Sequence, residues 1–377
     1  MASQKAVVAS LAAALFTILS PASTRAGELT PAPWDQARAA QYLDRRGENW
    51  FKFSSAKRGD GASASQCVSC HSLLPYALAR PVLRRLSNEK SPTVWETKIL
   101  EQTKSRVANW DQLDEVEYQL FYDFDEAKKK QSRGTEAILN TLLLSLDDRS
   151  AGRQQASGDT NKALAILWAN QISKGEDKGS WDWLNFGLEP WEATGARYLG
   201  ATVAAIAIGA APGNERDARE GLDSLRSYLT SHYAKQNLHN RIWLLWASAG
   251  LDGLLTSPQK DQLIEQILAK QQTEGGWSLG SLGDFTHVEI KAPSTAPDGY
   301  ASGLILHALQ LGGLTSEHSQ VKKGLAWLRS NQDPTGAWRA SSVNKERSPE
   351  STNAAKANIG KFMWDAATGF SVLALGH

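Results

Sequence analysis

The chain has 377 residues, 41% of them hydrophobic, and a net charge of +1. This is enough for one large core or two ordinary ones, and the balance of Lys and Arg against Asp and Glu gives no basis for a nucleic-acid partner. Beyond the first ~30 residues no stretch is apolar enough for long enough to span a membrane.

Taken in chain order, the first segment is MASQKAVVASLAAALFTILSPASTRA, residues 1–26. Lys5 precedes an apolar run from Ala6 to Leu19, and the small residues Thr24 and Ala26 stand where a signal peptidase would cut. The pattern predicts a secretory signal and a mature protein that begins near Gly27, periplasmic or secreted. An uncleaved anchor is the alternative. Export bears on the chain's thiols, because exported cysteines are normally committed to a disulfide, a metal or a cofactor.

From residue 27 onward the hydrophobic periodicity predicts paired helices. WDQARAAQYLDRRGENW and HSLLPYALARPVLRRL form a first pair, and SPTVWETKILEQTKSRVANW and TEAILNTLLLSL a second. ALAILWANQISKGEDKGSW precedes EATGARYLGATVAAIAIG, and DAREGLDSLRSYLTSHY precedes LHNRIWLLWASAG. LIEQILAKQQTEGGW leads to DGYASGLILHALQLGG, and KKGLAWLRSNQDPTGAW to DAATGFSVLALG. In the third, fifth and sixth pairs an amphipathic helix is followed by one that is apolar almost all round, which predicts an outer element packed on an inner one, and the other pairs fall into place on that template. About six such hairpins at a period of about fifty residues mean a solenoid or a ring. Inner helices that are apolar on every face favour closure. The expectation is one all-α domain over residues 27–377, an (α/α)6 toroid, with RASSVNKERSPESTNAAKANIGK a loop on one rim.

Three of the outer helices end alike, in Gln, a short polar stretch, Gly and Trp, at Trp338, Trp277 and, more weakly, Trp181. The segment Lys323–Trp338 resembles the QW repeat of squalene–hopene and oxidosqualene cyclases, and Gln271, Gly275 and Trp277 repeat its core. Protein prenyltransferase β-subunits share the same toroid. The resemblance covers the repeat pattern over most of residues 135–377. It implies that Gln332, Gly336 and Trp338 are scaffold residues that tie outer helices together. It does not carry over either activity. The aspartate-rich DxDD signature of the cyclases is missing, and Asp147-Asp148 stands at the wrong end of an inner helix. The prenyltransferase D-x-C zinc signature is missing too, and the cyclases are much longer chains.

The chain's two cysteines sit in one pentapeptide, Cys67-Val-Ser-Cys70-His71. C-x-x-C-H is the spacing of covalent haem c, with two thioether anchors and an adjacent axial histidine. RGDGASASQCVSCHSLLP resembles the haem-binding stretch of class I cytochromes c, although the rest of such a domain is missing. Met363, His239 and His287 are candidates for a second iron ligand, and an open, water-bound iron is the alternative. A Zn²⁺ site on Cys67, Cys70, His71 and a carboxylate, or a C-x-x-C disulfide, are the competing readings of the motif.

In a closed ring the inner helices run parallel, so their N-termini share one rim. His71, Glu136, Glu192, His239 or Asn240, Asp298 and Asp365 open these helices. Four are carboxylates, which as helix caps complement the macrodipole and as a cluster would raise one another's pKa values. Asp365 and Asp298 are the candidate acid–base residues. The leading functional expectation is an exported toroid with haem c at the mouth of an apolar cavity. It would transfer electrons to or from a redox partner protein, or perform redox chemistry on an apolar, isoprenoid-like small molecule or lipid in the central cavity. The alternatives are a haem-free cyclase-like or prenyltransferase-like enzyme with a Cys/His metal site, and a non-catalytic lipid-binding toroid.

Overall fold

Four of the outer helices begin at a capping side chain, Asp35, Thr93, Ser157 or Thr256, ahead of an apolar stripe. A computed structural model describes residues 33–115, 117–193, 195–213, 219–285, 289 and 293–377. The expected signal segment 1–26 and His287 lie outside the described residues. Helix α1 (Gln36–Phe51) starts at Asp35, whose carboxylate accepts from the Arg38 N–H. A two-stranded antiparallel ribbon comes next, β1 (Lys57–Arg58) against β2 (Ser65–Gln66), with Lys57 opposite Gln66. Then come α2 (Leu73–Leu86) and α3 (Val94–Ala108), the latter opened by a capping box between Thr93 and Glu96. The remaining helices are α4 (Glu126–Ser150), α5 (Gly158–Ala169), α6 (Ala196–Ala210), α7 (Arg219–His232) and α8 (Leu238–Ala247). They are followed by α9 (Ser257–Leu268), α10 (Gly299–Leu311), α11 (Ser319–Ser330), α12 (Ala354–Gly360) and α13 (Phe362–Leu375).

Burial separates two layers. Helices α6, α10 and α13 bury nearly every residue, whereas α9 buries Leu263 and Ile267 alone and α7 one stripe from Leu222 to Leu229. The inner layer is α2, α4, α6, α8, α10 and α13. Neighbours pack in chain order from α4 to α13, α13 packs on α2, and α3 packs on both α2 and α4. The last helix thus lies beside the first pair, and the fold is the expected (α/α)6 toroid. Helices α10 and α13 pack backbone to backbone. A side chain at Gly303 would meet the Ser371 backbone nitrogen at 2.5 Å, so the backbones approach within glycine distance.

The Gln–Gly–Trp motif ties the outer layer together. The Gln332 amide donates to the carbonyls of Asp35 and Gly336 at 2.9 and 3.1 Å, and its oxygen accepts from Asp35 N–H at 2.7 Å. Gln271 reaches Gln320 at the head of α11 and Gln171 reaches Gly221 in α7 in the same way. Trp181, Trp277 and Trp338 each donate from Nε1 to a carbonyl of the preceding helix, at Leu167, Ile267 and Leu328. Each motif therefore fastens its outer helix to the next, and Gln332 fastens the last to the first.

Two details differ from the expectation. Helix α4 begins at Glu126, nine residues before the apolar run at Thr135, because Asp125 caps it there. Glu136 consequently sits in the body of α4 and not at its start. The polar run after Trp338 contains α12, capped by Asn353 and packed on α13. Aromatic side chains meet across the lumen between α8, α10 and α13. The Phe370 ring of α13 meets Trp243 of α8 edge-on at 5.4 Å and Tyr300 of α10 at 5.3 Å. Tyr300 Oη lies 2.8 Å from His239 Nε2 and accepts from Trp191 Nε1 at 2.9 Å.

Candidate functional site

Strand β2 leads directly into the Cys67–His71 loop, and α3 and α1 grip it. The Gln102 side chain pairs with the Gln66 backbone in both directions, each bond 3.0 Å. Trp50 Nε1 donates to the Cys67 carbonyl at 2.8 Å. Ser69 Oγ accepts from the N–H groups of Ser72 and Leu73 at 3.1 and 3.3 Å, which turns the chain into α2. Both cysteines are free thiols. The His71 imidazole stacks on Phe362 with ring centroids 3.8 Å apart, and Trp50 meets it edge-on at 5.6 Å.

Cys67, Cys70 and His71 line a cavity of about 480 Å³, within the size range of small-molecule and cofactor sites. Trp50, Phe53, Phe121, Tyr122, Phe186 and Trp191 supply its aromatic walls, and Met363 its thioether. Its charged lining is Arg58, Arg106, Glu136, Glu189, Glu192, Lys345 and Arg347. Arg106 and Glu136 neutralise each other in a buried two-bond pair, Nη2 to Oε2 at 2.9 Å, and the guanidinium lies 4.1 Å over the Phe121 ring. Loop residue Asn344 clasps the Glu189 backbone through both ends of its amide, at 2.6 and 2.5 Å. That bond brings the segment after Trp338 to the cavity.

Burial dominates the electrostatics. It pushes the His71 imidazole down to about 3, helped by the charges of Arg347 and Arg46, so the ring is neutral at ordinary pH. It raises Glu192 to about 7 against the opposing charge of Lys128, and raises Glu189 to about 7. Cys67 is pushed up to about 12 and Cys70 well above the usual thiol range, by burial first and then by the negative charge of Glu192.

Of the residues expected at the rim, the structure brings Cys67, Cys70, His71, Glu136, Glu192 and Met363 to this cavity, and not His239, Asp298 or Asp365. His239 is a satisfied core residue with Nε2 on Tyr300 and Trp243 and Nδ1 on Asn240. Asp298 caps α10, accepting from Ala301 N–H at 2.8 Å and Leu279 N–H at 2.6 Å. Burial still raises it to about 6 against those bonds, and it borders a second cavity of about 520 Å³ with Arg339, Lys345 and Arg347. Asp365 is 1% exposed and takes four donors: Tyr42 Oη, Arg46 Nε, Arg46 Nη2 and Ser72 Oγ. The rim acids are thus divided between a cavity pair and two structural anchors. Glu189, Arg58, Arg106 and Arg347 carry no motif that marks them in the sequence, where the nearest signal is the acidic and aromatic string Glu189-Pro-Trp-Glu192. Among the described residues, no three His, Cys, Asp or Glu side chains are grouped to hold a metal ion, and no helix is long and apolar enough to cross a membrane.

No family model matches the sequence, and no curated protein matches it. Among solved structures the chain is similar to one described as Polysaccharide Lyase BACCELL_00875. The two share 14% identity over 91% of this chain and 89% of that one, with a TM-score of 0.36.

Proposed function

We propose that this chain is an exported c-type haem protein built on an α/α toroid, serving electron transfer or redox chemistry on an apolar ligand. The observation that carries the reading is the place of Cys67-Val-Ser-Cys-His71. This segment holds both of the chain's cysteines, lines an aromatic-walled cavity and is fastened by Gln102, Trp50 and Ser69.

The residues present fit the group. Two free thiols and a neutral imidazole share one lining at the spacing that haem attachment needs. Cys67 and Cys70 would form the thioethers, and His71 and Met363, on the same lining, would hold the iron. Arg58 and Arg347 would balance the carboxylates of the group. When bound, haem supplies reversible one-electron chemistry at iron, and the aromatic walls act on it by excluding water.

The haem-free alternatives have less support. Asp365 is already ion-paired to Arg46 and has its oxygens taken by protein donors, and no three-residue ligand set for zinc is grouped among the described residues. The QW-like ties support the toroid and say nothing of the reaction. The test is the absorption spectrum of the chain exported with a haem-attachment system. A sharp Soret band that disappears in the Cys67→Ser, Cys70→Ser double variant supports the reading. A colourless, haem-stain-negative protein removes it.

A further inference from the structure

His71 and Asp365 do not touch, yet one hydroxyl joins them. Ser72 Oγ lies 2.8 Å from Asp365 Oδ2 and 3.3 Å from His71 Nδ1. A hydroxyl carries one hydrogen, and an ionised carboxylate can only accept. The Asp365 carboxylate is paired through both oxygens with the buried Arg46 guanidinium, at 2.6 and 2.8 Å. Ser72 therefore donates its hydrogen to Asp365. Its oxygen is then left to accept, and the partner at hand is the N–H on His71 Nδ1.

We infer that Asp365, acting through Ser72, is a positioning residue that holds His71 as the Nδ1–H tautomer and leaves Nε2 as an unprotonated ligand nitrogen. Which imidazole nitrogen binds a metal is set by the hydrogen bond the other one makes. Here that bond runs from the loop to α13 and on to Arg46 of α1. The Phe362 ring stacked at 3.8 Å limits rotation of the imidazole out of it. Among the described residues Nε2 has no hydrogen-bond partner. The inference rests on the haem reading for what Nε2 would bind. The tautomer itself is a property of the haem-free chain.

The test is nitrogen NMR of the full chain produced without haem and labelled at its seven histidines, with His71 assigned by its loss in His71→Gln. The expected wild-type signature is a protonated Nδ1 and an unprotonated Nε2. Ser72→Ala should move the tautomer ratio about fivefold toward Nε2–H, the worth of one ordinary hydrogen bond, and Ser72→Thr should restore it. A wild-type His71 that is mainly Nε2–H overturns the inference with no variant needed, and so does a ratio that Ser72→Ala leaves unchanged. An Nδ1–H signature in a chain that never takes up haem sinks the haem reading and leaves this one standing. A haem-loaded protein whose haem-free form shows Nε2–H does the reverse.

Discussion

Arg46 and Asp365 face each other across the seam where the ring closes, joined by two bonds of 2.6 and 2.8 Å, with their side chains 7% and 1% exposed. They link α1 to α13, residues far apart in sequence, and Asn358 takes the remaining guanidinium nitrogen at 2.7 Å. Breaking a buried pair from one side leaves the other charge unpaired in a poor solvent. Asp365→Ala should therefore cost about 3–5 kcal/mol, read as a drop in the urea midpoint. An unchanged midpoint would mean that the seam is held elsewhere.

A second clasp closes the outer layer. Gln332 bonds Asp35 in both directions, and Gly336 has φ +92 with the Arg38 carbonyl against the place where a Cβ would stand. Gly336→Ala should destabilise by at least ~1–3 kcal/mol from backbone strain alone, and Gln332→Ala by about 1 kcal/mol or more for the lost bonds. Hydrogen exchange should quicken first in α1 and α11. Uniform quickening across the ring would contradict a local clasp.

These two clasps mark what can be read from the sequence. The Gln–Gly–Trp spacing, the apolar inner runs and their period are enough for the toroid, because each is a local pattern. Cys67, Cys70 and His71 are legible as a motif. The role of Asp365 is not, since an acid at a helix start looks the same whether it faces a substrate or an arginine on the opposite end of the chain. Periodicity misplaces Glu136 because Asp125 starts α4 early, a capping choice that hydrophobic spacing does not register. The aromatic packing inside the ring depends on Trp243, Tyr300 and Phe370 meeting across it, which no single segment contains.

Glu192 should give the fold a measurable pH signature. Its carboxyl is raised by burial from 4.5 to about 7, so between those values the folded state holds a proton that the unfolded state has lost. Stability from this group is full below pH 4.5 and falls as pH rises through 7. Glu192→Gln should therefore gain on the wild type as pH climbs from 4.5 to 7 and level off above, by about 1–3 kcal/mol at about 1.4 kcal/mol per pKa unit after discounting for its partial exposure. Melting both proteins across this range checks it. A difference independent of pH would mean that Glu192 is solvated.

The haem reading has its most direct test in the intact mass of the exported, mature chain under denaturing conditions. The expected result is cleavage near Gly27 and an increment of one haem that survives denaturation and disappears when Cys67 and Cys70 are replaced by Ser. A mature mass with no increment, or with the loss of two hydrogens that marks a Cys67–Cys70 disulfide, would contradict it.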